Sequence, residues 1–234
     1  MKRVLVLCAA LAAVAATAAP AGATNECRGL KICVKVPGPW VVVPVELANV
    51  RAGAQFQLSC PRGYIVGGLD AELSDRAIDL DFPGLLGSPV GPGTTTTRSA
   101  VFRGVFTGAS PRNPVFRPHL GCVPTSGGGA GPVPYRRPQS FPPGQPAVRR
   151  VRTVPLHAGS VTAVAACGAG ERLISGWHSV AFYTASAPSL SLARSSRVSQ
   201  SARGNRVYVR VRSSAALNGV RAVVQVGAVC GGGS

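Results

Sequence analysis

The sequence predicts an all-β protein: two tandem, disulfide-closed, antiparallel β-sandwich-like units joined by a Pro/Gly-rich linker. Three observations predict it. Val, Gly, Pro, Ser and Thr are plentiful while Glu, Lys and Met are scarce, and Pro or Gly interrupts almost every window of ten residues. That composition favours short strands and turns. The chain also repeats itself, and its cysteines fall in step with the repeat.

The N-terminus comes first. Lys2 and Arg3 precede an uncharged apolar run from Val4 to Ala19, and Ala21-Gly22-Ala23 supplies the small residues a signal peptidase needs. Residues 1–23 therefore read as a secretory signal peptide cleaved after Ala23. The run holds about 16 apolar residues, short of the roughly 20 that span a bilayer. No later run is longer, so no transmembrane segment is expected. The mature chain of about 211 residues is expected to be secreted, at the cell envelope or outside the cell.

The repeat then organises the chain. One copy reads Ala52-Gly53, six residues, Cys60-Pro61-Arg62-Gly63, then Tyr64-Ile65-Val66-Gly67-Gly68. The other reads Ala158-Gly159, seven residues, Cys167-Gly168-Ala169-Gly170, then Glu171-Arg172-Leu173-Ile174-Ser175-Gly176. Gly68 to Cys122 and Gly176 to Cys230 are both intervals of 54 positions. Upstream, Val41-Val42-Val43-Pro44 matches Val151 to Pro155. Unit 1 is placed at 24–123, the linker at 124–147 and unit 2 at 148–234. Between Pro124 and Pro146, 12 of 23 residues are Pro or Gly, which no regular ladder accommodates.

Cys8 leaves with the signal, and six cysteines remain. An even number in an exported chain reads as a disulfide set with 15 possible pairings. The repeat selects one: Cys60–Cys122 and Cys167–Cys230 each close a copy, and Cys27–Cys33 is left as a local loop. A bridge closing about 60 residues removes roughly 4 kcal/mol of unfolded-state entropy in the usual model. A metal site is the poorer reading, since CxxC pairs are absent and the three His are dispersed.

Strands are expected over 40–47, 56–59, 64–69 and 100–107 in unit 1, and over 161–166, 172–177, 179–184, 206–212 and 221–229 in unit 2. The run from Arg206 to Arg212 alternates cleanly. Val207, Val209 and Val211 then face a core, while Arg206, Tyr208, Arg210 and Arg212 share the solvent face.

Charge suggests the partner. Without Lys2 and Arg3 the 25 basic residues fall to 23 against eight acids, a balance of +15, nearly all of it Arg. Such a surface favours anionic cell-envelope polysaccharides, teichoic or uronic polymers, an anionic lipid surface or extracellular nucleic acid, with no base-specific recognition implied. Arg206, Tyr208, Arg210 and Arg212 are the anion-binding candidates: guanidinium groups would track the polymer and the ring would stack on it. A second cluster holds Asp70, Glu72, Asp75, Asp79 and Asp81 within twelve residues. It suits a hard cation such as calcium, outward positions on strands, or pairing with the Arg-rich second unit. His119, His157 and His178 are the only histidines, and neither a Gly-x-Ser-x-Gly elbow nor an HExxH helix is present, so no catalytic residue, metal or cofactor is assigned. Gly67-Gly68 reads as a bend or bulge, not a phosphate loop.

Cys60-Pro61-Arg62-Gly63, the apolar pair, Gly67-Gly68 and the distant Cys122 resemble repeats in uncharacterised secreted bacterial proteins. That resemblance covers most of the mature chain and implies export and a β fold, without an activity. The sequence thus leads to a non-catalytic binding or structural module at the cell surface. A secreted hydrolase and a disulfide-rich protein inhibitor, with Cys27–Cys33 as its exposed loop, are the alternatives.

Overall fold

A computed structural model describes residues 24–45, 53–82, 94–96, 98–108, 113–125 and 147–231. The signal-peptide expectation (1–23) and nearly all of the expected linker lie outside the described residues.

The described chain is built almost wholly of antiparallel strands. The first half carries β1 (Val34–Pro37), β2 (Trp40–Val42), β3 (Gly53–Ser59), β4 (Tyr64–Leu73), β5 (Ile78–Asp81), β6 (Thr94–Thr96), β7 (Ser99–Phe106) and β8 (Val115–Pro124). The second half carries β9 (Ala147–Leu156), β10 (Gly159–Ala166), β11 (Arg172–Phe182), β12 (Ser196–Arg203), β13 (Arg206–Ser213) and β14 (Ala222–Gly231). One short helix, α1 (Leu190–Ala193), starts where Ser189 accepts the Leu192 N–H. The strands expected separately over 172–177 and 179–184 are one strand, β11. Pro124 and Ala147, counted with the linker above, end β8 and begin β9.

Three sheets form. In the central one, β8 lies between β4 and the end-to-end pair β1 and β2; β2 continues to β11, then β14, then β9. The second sheet is β3-β7-β5 with β6 on β7, and the third is β10-β13-β12. The pairing order is the same in both halves: β8 between β4 and β2 as β14 is between β11 and β9, and β7 between β3 and β5 as β13 is between β10 and β12. The halves share the central sheet, through Trp40 opposite Phe182 and Val41 opposite Ala181.

That seam sorts the cores. Val41, Val43, Ala181 and Val223 pack with Phe56, Phe102 and Phe116 under the β3-β7-β5 sheet. Their strand neighbours Val180, Phe182, Ala222 and Val224 pack with Val207, Val209 and Val211 under the β10-β13-β12 sheet. Successive side chains of a strand point to opposite faces. The two outer sheets therefore cover opposite faces of the central one.

The two cysteine-glycine motifs take a common form. After each cysteine the chain turns, with Tyr64 N–H on the Pro61 carbonyl and Glu171 N–H on the Gly168 carbonyl. Gly63 and Gly170 take the third turn position at φ +80° and +76°, where a side chain would be strained. Each turn leads into a strand with a bulge, between Val66 and Gly68 and between Leu173 and Ser175. By register, Val66 and Leu173 lie opposite Cys122 and Cys230. Gly68 is thus matched by Ser175, one residue before the Gly176 that the equal 54-residue intervals align with it. The bridged cysteines are 62 and 63 residues apart in the two halves, so the second half carries one extra residue.

Cys27–Cys33, Cys60–Cys122 and Cys167–Cys230 are bridged, with Cα–Cα separations of 5.7, 5.8 and 5.6 Å. Pro118 sits inside β8, a place hostile to proline in a doubly paired strand. Its carbonyl accepts Gly38 N–H in the gap between β1 and β2. A strand residue's N and O point to the same side, so the missing donor faces that gap and breaks no ladder bond.

The free edge of β3 is sealed by a side chain from the other half. Gln225, 3% exposed, accepts the Gln57 N–H at 2.6 Å and donates back to the Gln57 carbonyl at 3.0 Å. Its amide stands in for a neighbouring strand. Gln225→Ala should leave both backbone groups unpaired and lower the unfolding free energy by about 2 kcal/mol, read by urea denaturation.

Candidate anion-binding face

The outer face of the β10-β13-β12 sheet is assembled by alternation and register. Inward, Val207, Val209 and Val211 are fully buried, with Val161, Ala163 and Ala165 beside them on β10. The outward residues form four rows across the strands: Ser160–Arg212–Arg197, Thr162–Arg210–Ser199, Val164–Tyr208–Ser201 and Ala166–Arg206–Arg203. Rows lie about 7 Å apart along the strands and neighbours about 5 Å apart across them.

All four sequence-predicted residues, Arg206, Tyr208, Arg210 and Arg212, are on this face. Register adds Arg197 and Arg203 from β12. The signal for these two was present: Gly204-Asn205 is a two-residue turn between alternating segments, the mark of a hairpin. The run of β12 itself, SRVSQSAR, has a single β-branched residue and reads as a loop.

The face carries five arginines and no acid, since none of β10, β12 and β13 contains Asp or Glu. Arg203 lies directly opposite Arg206, and Arg197 directly opposite Arg212. Like charges in directly opposed cross-strand positions destabilise a sheet. The first half answers the same geometry differently. At the place corresponding to Arg210 and Ser199, β7 and β5 carry Arg103 and Asp81, joined at 3.3 Å. At the place of Arg212 and Arg197 they carry Val105 and Asp79. The strand pairing is shared, but the strands of the second outer sheet carry no carboxylate beside their guanidinium groups.

A concavity of about 430 Å³ opens on this face, lined by Thr162, Ser199, Ser201, Arg203, Tyr208 and Arg210. Tyr208 is half-buried at its centre.

The acidic cluster does not converge on one point. Asp70 accepts the Asn25 and Ala71 N–H groups, and Asp75 accepts the Ala77 N–H in a turn. Glu72 lies 2.9 Å from His119 Nε2 and 3.9 Å from Arg117, and Asp81 pairs with Arg103. These partners all belong to the first half, so the cluster is not spent on the Arg-rich strands. Among the described residues the one close grouping of metal-ligand types is Cys167, Glu171 and Cys230, whose sulfurs are tied up in a bridge.

The histidines lie apart. His157 is exposed after β9, and His178 Nδ1 is 2.7 Å from Gln200 Oε1. His119, 5% exposed, stands between Glu72 and Glu26. Glu26 was not singled out from sequence. It is 2% exposed, its Oε1 3.4 Å from Lys35 Nζ and 3.8 Å from His119 Nδ1. The segment bearing it is pressed onto the central sheet at Gly68 and Gly121, where any Cβ would strike the Glu26 carbonyl. The Gly67-Gly68 pair thus provides a bulge and room for this strap.

Two further arginines are committed elsewhere. Arg149 on β9 donates to Gln55 on β3, across the two halves, and burial with the nearby Arg103 depresses its pKa. Arg150 grips Glu171 through two hydrogen bonds. Those bonds, with the Gly168 N–H, hold the Glu171 carboxyl at about 2.

No family model, curated protein or solved structure matches the chain.

The Glu171 pair has a pH signature. Its carboxyl is depressed in the fold from 4.5 to about 2. Its contribution is complete above pH 4.5 and is lost as pH falls toward 2. Thermal melting of Glu171→Gln should therefore show a shallower fall in Tm between pH 4.5 and pH 2 than the parent.

Proposed function

We propose that this is an exported, non-catalytic binding module whose β10-β13-β12 face holds an anionic polymer of the cell envelope. One observation carries the reading. Five arginines share an acid-free face, two pairs of them in directly opposed positions; the first half has Val105 and Asp79 at the place of Arg212 and Arg197, and Arg103 and Asp81 at the place of Arg210 and Ser199. A sheet selected for stability alone gains nothing from opposed guanidinium groups. A sheet that meets carboxylates or phosphates recovers that repulsion as charge-assisted hydrogen bonds.

We further infer that the two halves are diverged copies of one unit. The common pairing order, the paired positive-φ glycines and the matched bulges support this. In this reading the cystine frame is the shared inheritance, and the charge of the outer face is what diverged. Three bridges suit an oxidising compartment, in keeping with export.

The mature chain should be retained on an immobilised anionic polysaccharide at low salt and elute as salt rises. Arg206→Ser, Arg210→Ser and Arg212→Ser together should weaken retention about tenfold or more at physiological salt, with unchanged circular dichroism. Retention equal to the parent's would sink the reading.

A further inference from the structure

We propose that the concavity around Tyr208 is a glycan subsite, seating one sugar ring of a polymer that carries acidic groups on both sides of that ring. This rests on the anion-binding reading above and narrows its ligand class. The arginines are not evenly spread. Along β13 the rows run two arginines, one arginine, Tyr208, then two arginines. The row of Tyr208 is uncharged, with Val164 and Ser201 beside it. Arg210 lies one row to one side and the Arg206–Arg203 pair one row to the other, about 14 Å apart along the strand.

A ligand matched to this face has a neutral middle and anionic flanks. The middle is not flat. It is a hollow of about 430 Å³, within the range of small-ligand pockets. Its lining includes the Tyr208 ring and the hydroxyl-bearing side chains of Thr162, Ser199 and Ser201. Those hydroxyls both donate and accept, as sugar hydroxyls require. The aromatic face takes the apolar face of a pyranose. A bare polyphosphate chain would use the arginines and leave ring and hydroxyls idle. A lipid surface would lie across the rims without entering. Single-stranded nucleic acid is met by several aromatics in succession, one per stacked base, whereas this face has one. The ligand runs along β13, with acidic sugars over Arg210 and over Arg203 and Arg206, and a ring on Tyr208.

The test titrates the mature protein with a uronate hexasaccharide, a linear polyphosphate of equal charge and a short single-stranded DNA, by calorimetry at fixed salt. Tyr208→Ala should weaken uronate binding about tenfold and leave polyphosphate binding unchanged, while Tyr208→Phe keeps both. Arg203→Ser with Arg206→Ser should weaken both ligands. Tyr208→Ala affecting neither ligand, or both alike, overturns the glycan subsite while the arginine variants still support the anion-binding face. DNA bound more tightly than uronate, with the same Tyr208 dependence, also overturns it in favour of a stacked base. Arginine variants that bind every probe like the parent overturn the anion-binding face itself.

Discussion

The seam between β2 and β11 is the constraint on which the rest of the molecule depends. Only Trp40 opposite Phe182 and Val41 opposite Ala181 make the pairing, yet it makes one sheet out of two halves. It is antiparallel, so the second half enters the sheet inverted. Inversion with the same left-to-right strand order turns its other face outward. The β3-β7-β5 sheet then covers one side of the central sheet, and the β10-β13-β12 sheet covers the opposite side. The seam is reinforced where an unpaired strand edge would otherwise be buried: Gln225 closes the edge of β3 with its own amide.

This arrangement has an electrostatic consequence. A chain with 25 basic and eight acidic residues has few carboxylates to distribute. They are used locally, Asp81 on Arg103, Glu72 on Arg117 and His119, Glu26 beside Lys35, Glu171 on Arg150. None stands on the face that holds Arg197, Arg203, Arg206, Arg210 and Arg212. Because the outer sheets lie on opposite sides, Asp79 and Asp81 point away from those arginines and cannot neutralise them. The stability of the frame and the charge of the face are thus kept on separate residues. Bridges, valines and Gln225 hold the fold, and the arginines are left to interact outward.

Much of the second outer sheet was legible. The strict alternation from Arg206 to Arg212 needs only the period of two to sort valines from arginines. The Cys-x-x-Gly turn was legible as a repeat, though its cause, a positive φ at Gly63 and Gly170, is a backbone fact. Other elements hid behind unfavourable residues. β8 contains Pro118 and Gly121, which argue against a central strand until the gap between β1 and β2 and the strap at Glu26 explain them. β12 gives the core only Val198, and its inward Gln200 bonds His178 and the Gly176 carbonyl rather than filling a core. A short apolar period cannot reveal such a strand.

By itself, the sequence determined the β class, the cystine pairing and which side of β13 is charged. Each follows from local periodicity or from matched spacing along the chain. Tertiary structure alone decided that the halves share a sheet, that Arg197 and Arg203 join Arg206, Arg210 and Arg212, and that Glu26 is buried under the strap. These depend on which strands become neighbours and in what register. Register is set by cores and turns far apart in the chain, and a one-residue slip would send every side chain to the other face.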